Sequence, residues 1–259
     1  MGSRAQELSL GIDLGGTAIK AGAVTLDGTI LERRSIPAQL ERGPEDLADR
    51  IASLARELGF TNTLGIGVPG LLDRSAGRII TSANLHQLDD FPLVDALSTR
   101  LAVPPSHVAL ENDANAAALG EAWAGAGRSE SDFLMVTLGT GIGGGVVLGG
   151  EVITGDGGLA GEIGHICVTP GGLKCGCGSR GCLETLASAT AASRRAQASG
   201  LPADLAQVNA LANSGDETAR TLLTEVGRDL GRGLSAATVL LDLRVFVIGG
   251  GFGAALDLL

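Results

Sequence analysis

Ile12-Asp-Leu-Gly-Gly-Thr-Ala-Ile-Lys20-Ala-Gly-Ala-Val24 reads as a strand, a glycine turn and a returning strand. Strand character starts at Leu8, and a turn at Asp27-Gly28 leads into a third strand over Thr29–Ser35. The pattern recurs further along in Phe133-Leu-Met-Val-Thr-Leu-Gly139-Thr-Gly-Ile-Gly-Gly-Gly145-Val-Val-Leu-Gly-Gly-Glu-Val-Ile153. There Val136-Thr-Leu-Gly139 matches Ile12-Asp-Leu-Gly15, and Gly149-Gly150 takes the place of Asp27-Gly28. A duplicated glycine-cornered β-hairpin predicts two α/β lobes. The cleft between such lobes is the default binding site.

Leu47, Ile51, Leu54 and Leu58 share one helical face, which predicts a helix over Pro44–Leu58. Leu64–Val68 is a short buried strand that ends at Pro69-Gly70. Val108–Glu111 is another strand, and Asn112-Asp113 opens an alanine-rich helix through Trp123, with Asp113 placed to cap it. Helices are expected over Leu183–Ser199, Leu205–Asn213 and Thr218–Leu241, then a strand over Arg244–Ile248 that enters Gly249-Gly-Gly251.

The hairpin corners carry chemistry. Asp13-Leu-Gly-Gly-Thr17 with Lys20 offers inward-facing amides, a hydroxyl and a cation, the groups a polyphosphate needs. An ordinary turn with a surface lysine is the plain alternative. Gly139-Thr-Gly-Ile-Gly-Gly144 satisfies the Gly-x-Gly-x-x-Gly pattern of dinucleotide folds, but that fingerprint requires a helix next. A β-run, Val146–Ile153, follows instead, which argues for a second phosphate hairpin.

Three of the four cysteines, Cys175, Cys177 and Cys182, fall in Cys175-Gly-Cys-Gly-Ser-Arg-Gly-Cys182, with His165 upstream in Gly161-Glu-Ile-Gly-His165. Three thiolates and an imidazole make a complete tetrahedral Zn²⁺ set with no open position, so the metal reads as structural. On chemistry alone Cys167 is an alternative to His165. Glu162 and Glu184 flank the set, so a metal that orders this loop also fixes two acids; surface carboxylates are their plain reading.

The 259 residues carry a net charge of −10, which disfavours a nucleic-acid partner. No apolar run is long enough to cross a membrane and no signal core precedes Leu8, so a cytoplasmic location is expected. In that compartment clustered cysteines bind metal more often than they pair. With no tyrosine, 1 tryptophan and 5 phenylalanines, a ligand would be held mainly by polar side chains and backbone.

Together, Asp13-Leu-Gly-Gly-Thr17, Glu111-Asn-Asp-Ala-Asn115, Gly139-Thr-Gly-Ile-Gly-Gly-Gly145, Gly161-Glu-Ile-Gly-His165 and Cys175-Gly-Cys-Gly-Ser-Arg-Gly-Cys-Leu-Glu184 resemble the ROK family of bacterial sugar kinases and repressors. The resemblance spans nearly the whole chain and is most like the ATP-dependent glucokinases of that family. It implies the two-lobed actin-like, ribonuclease H-like ATPase fold. Transfer of the ATP γ-phosphoryl group to the 6-hydroxyl of a hexose, most of all glucose, is the implied activity.

The resemblance also implies roles. Asp113 is matched to the catalytic base, with Asn112, Gly70, Asn84, Glu162, His165 and Glu184 contacting the sugar. Asp13, Gly15, Gly16, Thr17 and Lys20 of the first hairpin and Gly139, Thr140 and Gly141 of the second match the phosphate motifs, and Gly249 and Gly250 the adenosine motif. Asp13 would organise Mg²⁺ through water. His165, with Cys175, Cys177 and Cys182, is favoured over Cys167 as the fourth zinc ligand. A smaller lobe over 1–112, a larger one over 113–259 and a homo-oligomer, dimer or tetramer, are expected.

Kinases for N-acetylglucosamine, N-acetylmannosamine, mannose or fructose share the hydroxyl-binding residues; the Cys-Gly-Cys-Gly spelling disfavours fructose. Sugar-sensing repressors of the family carry an N-terminal DNA-binding module that does not fit before Leu8. An inactive sugar-binding protein is disfavoured by Asp113 and both hairpins. Family members run on past the Gly-Gly-Gly corner, so the C-terminal helices that complete the adenosine pocket are expected to be lacking at Leu259.

Overall fold

Alternating burial makes the first hairpin. Leu10, Ile12 and Leu14 point inward from β1 (Leu8–Leu14), and Ile19, Ala21 and Ala23 from β2 (Ala18–Thr25). The structure, a computed structural model, describes residues 8–82 and 84–258. The two strands pair antiparallel with Asp13 opposite Lys20, and β3 (Ile30–Pro37) extends the edge.

α1 (Pro44–Glu57) starts on a proline, where a missing N–H costs nothing, and buries Leu47, Ile51 and Leu54. β4 (Leu64–Val68) lies parallel to β1. A small hairpin follows, β5 (Leu71–Asp73) and β6 (Arg78–Thr81), then α2 (Leu93–Leu101), β7 (Val108–Asn112) and α3 (Asp113–Ala124). The five-stranded sheet runs β3-β2-β1-β4-β7, and its core joins Ile12, Ile66, Ile51 and Leu97. The small hairpin and α2 are additions to the expected elements.

β8 (Phe133–Leu138) and β9 (Ile142–Leu148) form the second hairpin, with β10 (Glu151–Ile153) at its edge. The expected helix over Leu183–Ser199 is two helices, α4 (Glu184–Ala187) and α5 (Ala189–Ala198). Ser188 between them is extended, and its hydroxyl caps α5 by accepting from the Ala191 amide at 3.1 Å, a role serine fills better than a helix interior. α6 (Leu205–Asn213) and α7 (Glu217–Leu241) then lead to β11 (Phe246–Gly249), parallel to β8.

This sheet runs β10-β9-β8-β11, over a core of Val136, Ile142, Leu183, Leu223 and Val226. The duplication is therefore topological: in each sheet an antiparallel hairpin has a parallel strand beside its first strand, as β2-β1-β4 and β9-β8-β11.

The chain divides into two compact units. One holds the chain up to Ala124 with Gly155–Leu159; the other holds Gly125–Thr154 and the chain from Ala160. The division falls after α3, whereas the expected boundary at 112/113 puts Asp113 in the second lobe. Asp113 belongs to the first, because α3 packs on β4 and β7. Among the described residues no helix is long and apolar enough to cross a membrane.

Candidate active site

In the first unit β7 ends where α3 begins. The helix is capped by Asn112, whose Oδ1 accepts from the amides of Ala114 at 2.9 Å and Asn115 at 3.2 Å. The cap expected at Asp113 is thus supplied by its neighbour. Asp113 is the first helical residue, and its Oδ1 accepts from the Ala114 amide at 2.9 Å.

Asp113 is exposed as a residue, while protein crowds its carboxyl. Burial raises its pKa above the ordinary value, the Ala114 amide opposes that, and the nearby Asp13 charge adds to it.

The other residues expected to meet the sugar and phosphates in this unit gather close by. Asn112 Nδ2 donates to the Gly70 carbonyl at 3.4 Å. Gly70 has φ 117°, and a side chain there would collide with the Thr81 carbonyl, so only glycine fits. A Cβ on Gly16 would stand 3.2 Å from the Asn84 carbonyl oxygen, which places Asn84 against the first hairpin corner. That corner is closed by a Gly15 amide to Ala18 carbonyl bond at 3.0 Å, with Thr17 between them. Lys20 meets Asp13 at 3.0 Å in an exposed pair, which holds neither group firmly.

In the second unit the Gly161-Glu-Ile-Gly-His165 run lies flush on β9. A Cβ on Gly164 would collide with the Ile142 carbonyl, so the small residue is what lets this loop seat. A turn over Ile163–His165 then presents Glu162 and His165, with His165 Nε2 4.0 Å from a Glu162 oxygen. Glu184 faces the same region: its Oε2 accepts from the Ile142 amide at 3.0 Å, and its Oε1 lies 3.9 Å from Cys175 Sγ.

His165, Cys175, Cys177 and Cys182 converge with their ligand atoms all within 4.8 Å of one another. Tetrahedral zinc, with bonds of about 2.3 Å to sulfur and 2.0–2.1 Å to nitrogen, needs ligand separations of about 3.6–3.8 Å. Cys175 Sγ to His165 Nδ1 is 3.6 Å and Cys177 Sγ to Cys182 Sγ is 3.7 Å, so these two pairs match such a site and the four groups together suit the ion. Without a cation, burial and the neighbouring thiols push Cys182 up to about 12. Cys167 stands outside the set and is exposed, its thiol 3.4 Å from the Arg180 carbonyl. His165 uses Nδ1 toward the thiols and Nε2 toward Glu162, an arrangement suited to fixing the ring.

Beside the second hairpin lies a cavity of about 880 Å³ lined by Gly139, Thr140, Gly251, Phe252 and residues of α5 and α6. Gly250, next to Gly249 at the end of β11, packs so closely on Leu138 that a side chain there would collide. Gly141 is likewise pressed against the Glu184 carboxylate. The Ala189 amide, opening α5, donates to the Gly139 carbonyl at 2.9 Å, so the break at Ser188 brings a helix N-terminus to the hairpin. The α5 and α6 lining, including Thr190, Arg194 and Asn209, is not foreseen from sequence, because these faces carry no motif.

Duplicated hairpin sheets with glycine corners define a protein of the actin-like ATPase fold, here with a Cys₃His loop in the second unit. The chain belongs to the ROK family, whose sequence model matches residues 9–259. A glucokinase of Thermotoga maritima is 38% identical over 268 residues, spanning 96% of this chain and 84% of that protein. An N-acetylmannosamine kinase of Escherichia coli is 36% identical over 248 residues, spanning 95% and 84%. The crystal structure of a ROK family glucokinase from Streptomyces griseus in complex with glucose and AMPPNP superposes with a TM-score of 0.83 at 34% identity, covering 96% of this chain and 85% of that one.

Proposed function

We propose that this protein transfers the γ-phosphoryl group of ATP to the 6-hydroxyl of a hexose, with glucose as the preferred acceptor. The observation that carries this reading is the relief of Asp113 from capping: Asn112 caps α3, leaving a carboxylate of raised pKa beside Asp13. A base whose pKa is raised above its ordinary value suits proton removal from a hydroxyl. The glucokinase relatives and the neighbour bound to glucose and AMPPNP support the choice of substrates.

Asp113 accepts the 6-hydroxyl proton as the O6–Pγ bond forms and the bond from Pγ to the ADP oxygen breaks. The protein's work in such a transfer is placement and charge stabilisation. Gly15, Gly16, Thr17, Gly139, Thr140 and Gly141 are assigned to the phosphates. The N-terminus of α5 favours the anion. Gly249 and Gly250 lead into Gly251, which lines the cavity, and the cavity is ample for an adenosine. Asp13 would hold Mg²⁺, which would supply charge neutralisation at the phosphates. Asn112, Gly70, Asn84, Glu162, His165 and Glu184 contact sugar hydroxyls. His165, Cys175, Cys177 and Cys182 would hold zinc, which would order the loop that carries His165 and Glu184.

A second reading, an N-acetylmannosamine kinase, draws on the nearly equal identity of that relative. ADP release with ATP and glucose, mannose, N-acetylglucosamine or N-acetylmannosamine decides between them. The first reading expects the highest kcat/KM on glucose. A folded protein with no turnover on any hexose overturns both.

A further inference from the structure

The small hairpin of β5 and β6 has one feature that the phosphoryl-transfer chemistry leaves unused. Gly70 and Asn84 stand just outside its two ends, and its turn carries Arg74. The Arg74 guanidinium meets Glu111 with both arms of its fork, Nε to Oε2 at 2.8 Å and a terminal nitrogen to Oε1 at 2.5 Å. Glu111 Oε1 also accepts from the Asn112 amide at 2.8 Å and from Asn115 Nδ2 at 3.1 Å. One carboxylate therefore holds the end of β7, the first turn of α3 and the hairpin turn together. Asp113 lies between Asn112 and Asn115, the two residues so held.

We infer that Arg74, acting through Glu111, is a positioning residue for Asp113 in hexose phosphorylation. This rests on the reading of Asp113 as the base. A bidentate guanidinium–carboxylate pair fixes both the distance and the plane of the carboxylate. A lysine at this position supplies charge without the fork. The pair is partly shielded, at 29% and 21% side-chain exposure, and Asn115 is 2% exposed. Burial by itself would raise the Glu111 carboxyl; the Arg74 guanidinium, the Asn115 amide group and the Asn112 amide outweigh it and hold Glu111 ionised. The carboxylate nearest in charge to Asp113 is Asp13, so Arg74 acts on Asp113 through geometry.

The test is steady-state kinetics of the full chain and its Arg74→Ala, Arg74→Lys, Glu111→Gln and Arg74→Ala/Glu111→Gln variants. Misplacing a reacting group by about 1 Å can cost on the order of a hundredfold, so Arg74→Ala should lose about 10- to 100-fold in kcat. The KM for ATP should stay within about twofold, because the loss falls on the transition state. The acid limb of the pH–rate profile should not move, and Arg74→Lys should recover only part of the rate. Added guanidinium should restore Arg74→Ala where ammonium does not. The double variant should be no slower than the slower single, since the two side chains act as one unit.

Unchanged kcat in Arg74→Ala, additive losses, or a loss that guanidinium does not restore would each overturn the inference. Amide hydrogen exchange gives a readout without turnover. Protection of the Asn112 amide should fall in Arg74→Ala while that of β1 persists. If the wild type phosphorylates no hexose, the functional reading fails and the exchange comparison still judges whether the Arg74–Glu111 pair holds Asn112 in place. Unaltered protection at Asn112 contradicts it.

Discussion

Glu184 Oε2 accepts a hydrogen bond from the amide of Ile142, 3.0 Å away, at the first residue of β9. A carboxylate two residues beyond Cys182 is thereby tied to the corner of the second glycine hairpin. Glu184 links the Cys₃His loop to the segment assigned to the phosphates. Glu184→Gln keeps an oxygen for Ile142 and should raise chiefly the KM for hexose. Glu184→Ala leaves that amide unpaired, a loss of about 1–3 kcal/mol where it is buried, and should raise the KM for ATP as well. Equal ATP kinetics in the two variants would contradict the link.

Asp113→Asn separates function from stability. Removing a general base typically costs about 10²–10⁴ in rate, and that loss in kcat is expected here. The folded pKa of Asp113 lies above its ordinary value, so between the two values the folded state holds more protons than the unfolded. Stability from this group therefore falls as pH rises from about 3.9 through the folded pKa, and stays lost at neutral pH. Asp113→Asn should unfold at a higher Tm at pH 7, with the gain vanishing near pH 3. In the wild type, kcat/KM should fall on acidification, with a midpoint above the ordinary aspartate value.

The metal is expected at one zinc per chain. Cys182→Ser and Cys175→Ser should each lose it, and Cys167→Ser should keep it, since Cys167 lies outside the cluster. Zinc content by elemental analysis checks this. Because the thiols must lose their protons to bind, zinc affinity should weaken as pH falls. A metal-free protein with full hexose affinity and turnover would contradict the structural role.

Gly164→Ala probes the seat of the Gly161–His165 run on β9. The added methyl would meet the Ile142 carbonyl, and such overpacking costs about 1–3 kcal/mol. Denaturant unfolding should report that loss, together with a weaker hexose KM. Wild-type stability would show that the loop shifts freely.

Local patterns carry much of the fold and part of the site. Alternation in Ile12–Val24 marks the first hairpin, because burial there repeats every second residue, whereas β8 is buried on both faces and is marked by its apolar run and the glycine corner that follows. The spacing of Cys175, Cys177 and Cys182 marks the thiol cluster, and Asn112-Asp113 marks a helix start. What sequence does not show depends on distant partners. Arg74 meets Glu111 across 37 positions, with no signal at either end. The break at Ser188 looks helical locally and is decided by the capping bond to Ala191. The choice of His165 over Cys167 needs coordinates, since both lie near the same turn. The boundary after Ala124 follows from α3 packing on β4 and β7, which no composition change announces.

Everything proposed for the site turns on regiospecific transfer to a hexose with Asp113 as the base. The product formed from ATP and glucose, read by phosphorus NMR with the wild type and Asp113→Asn side by side, probes it without intermediaries. Glucose 6-phosphate and ADP in equal amounts are expected from the wild type, and a rate lower by about 10²–10⁴ from the variant. ADP without sugar phosphate, or equal rates from the two proteins, would contradict the assignment.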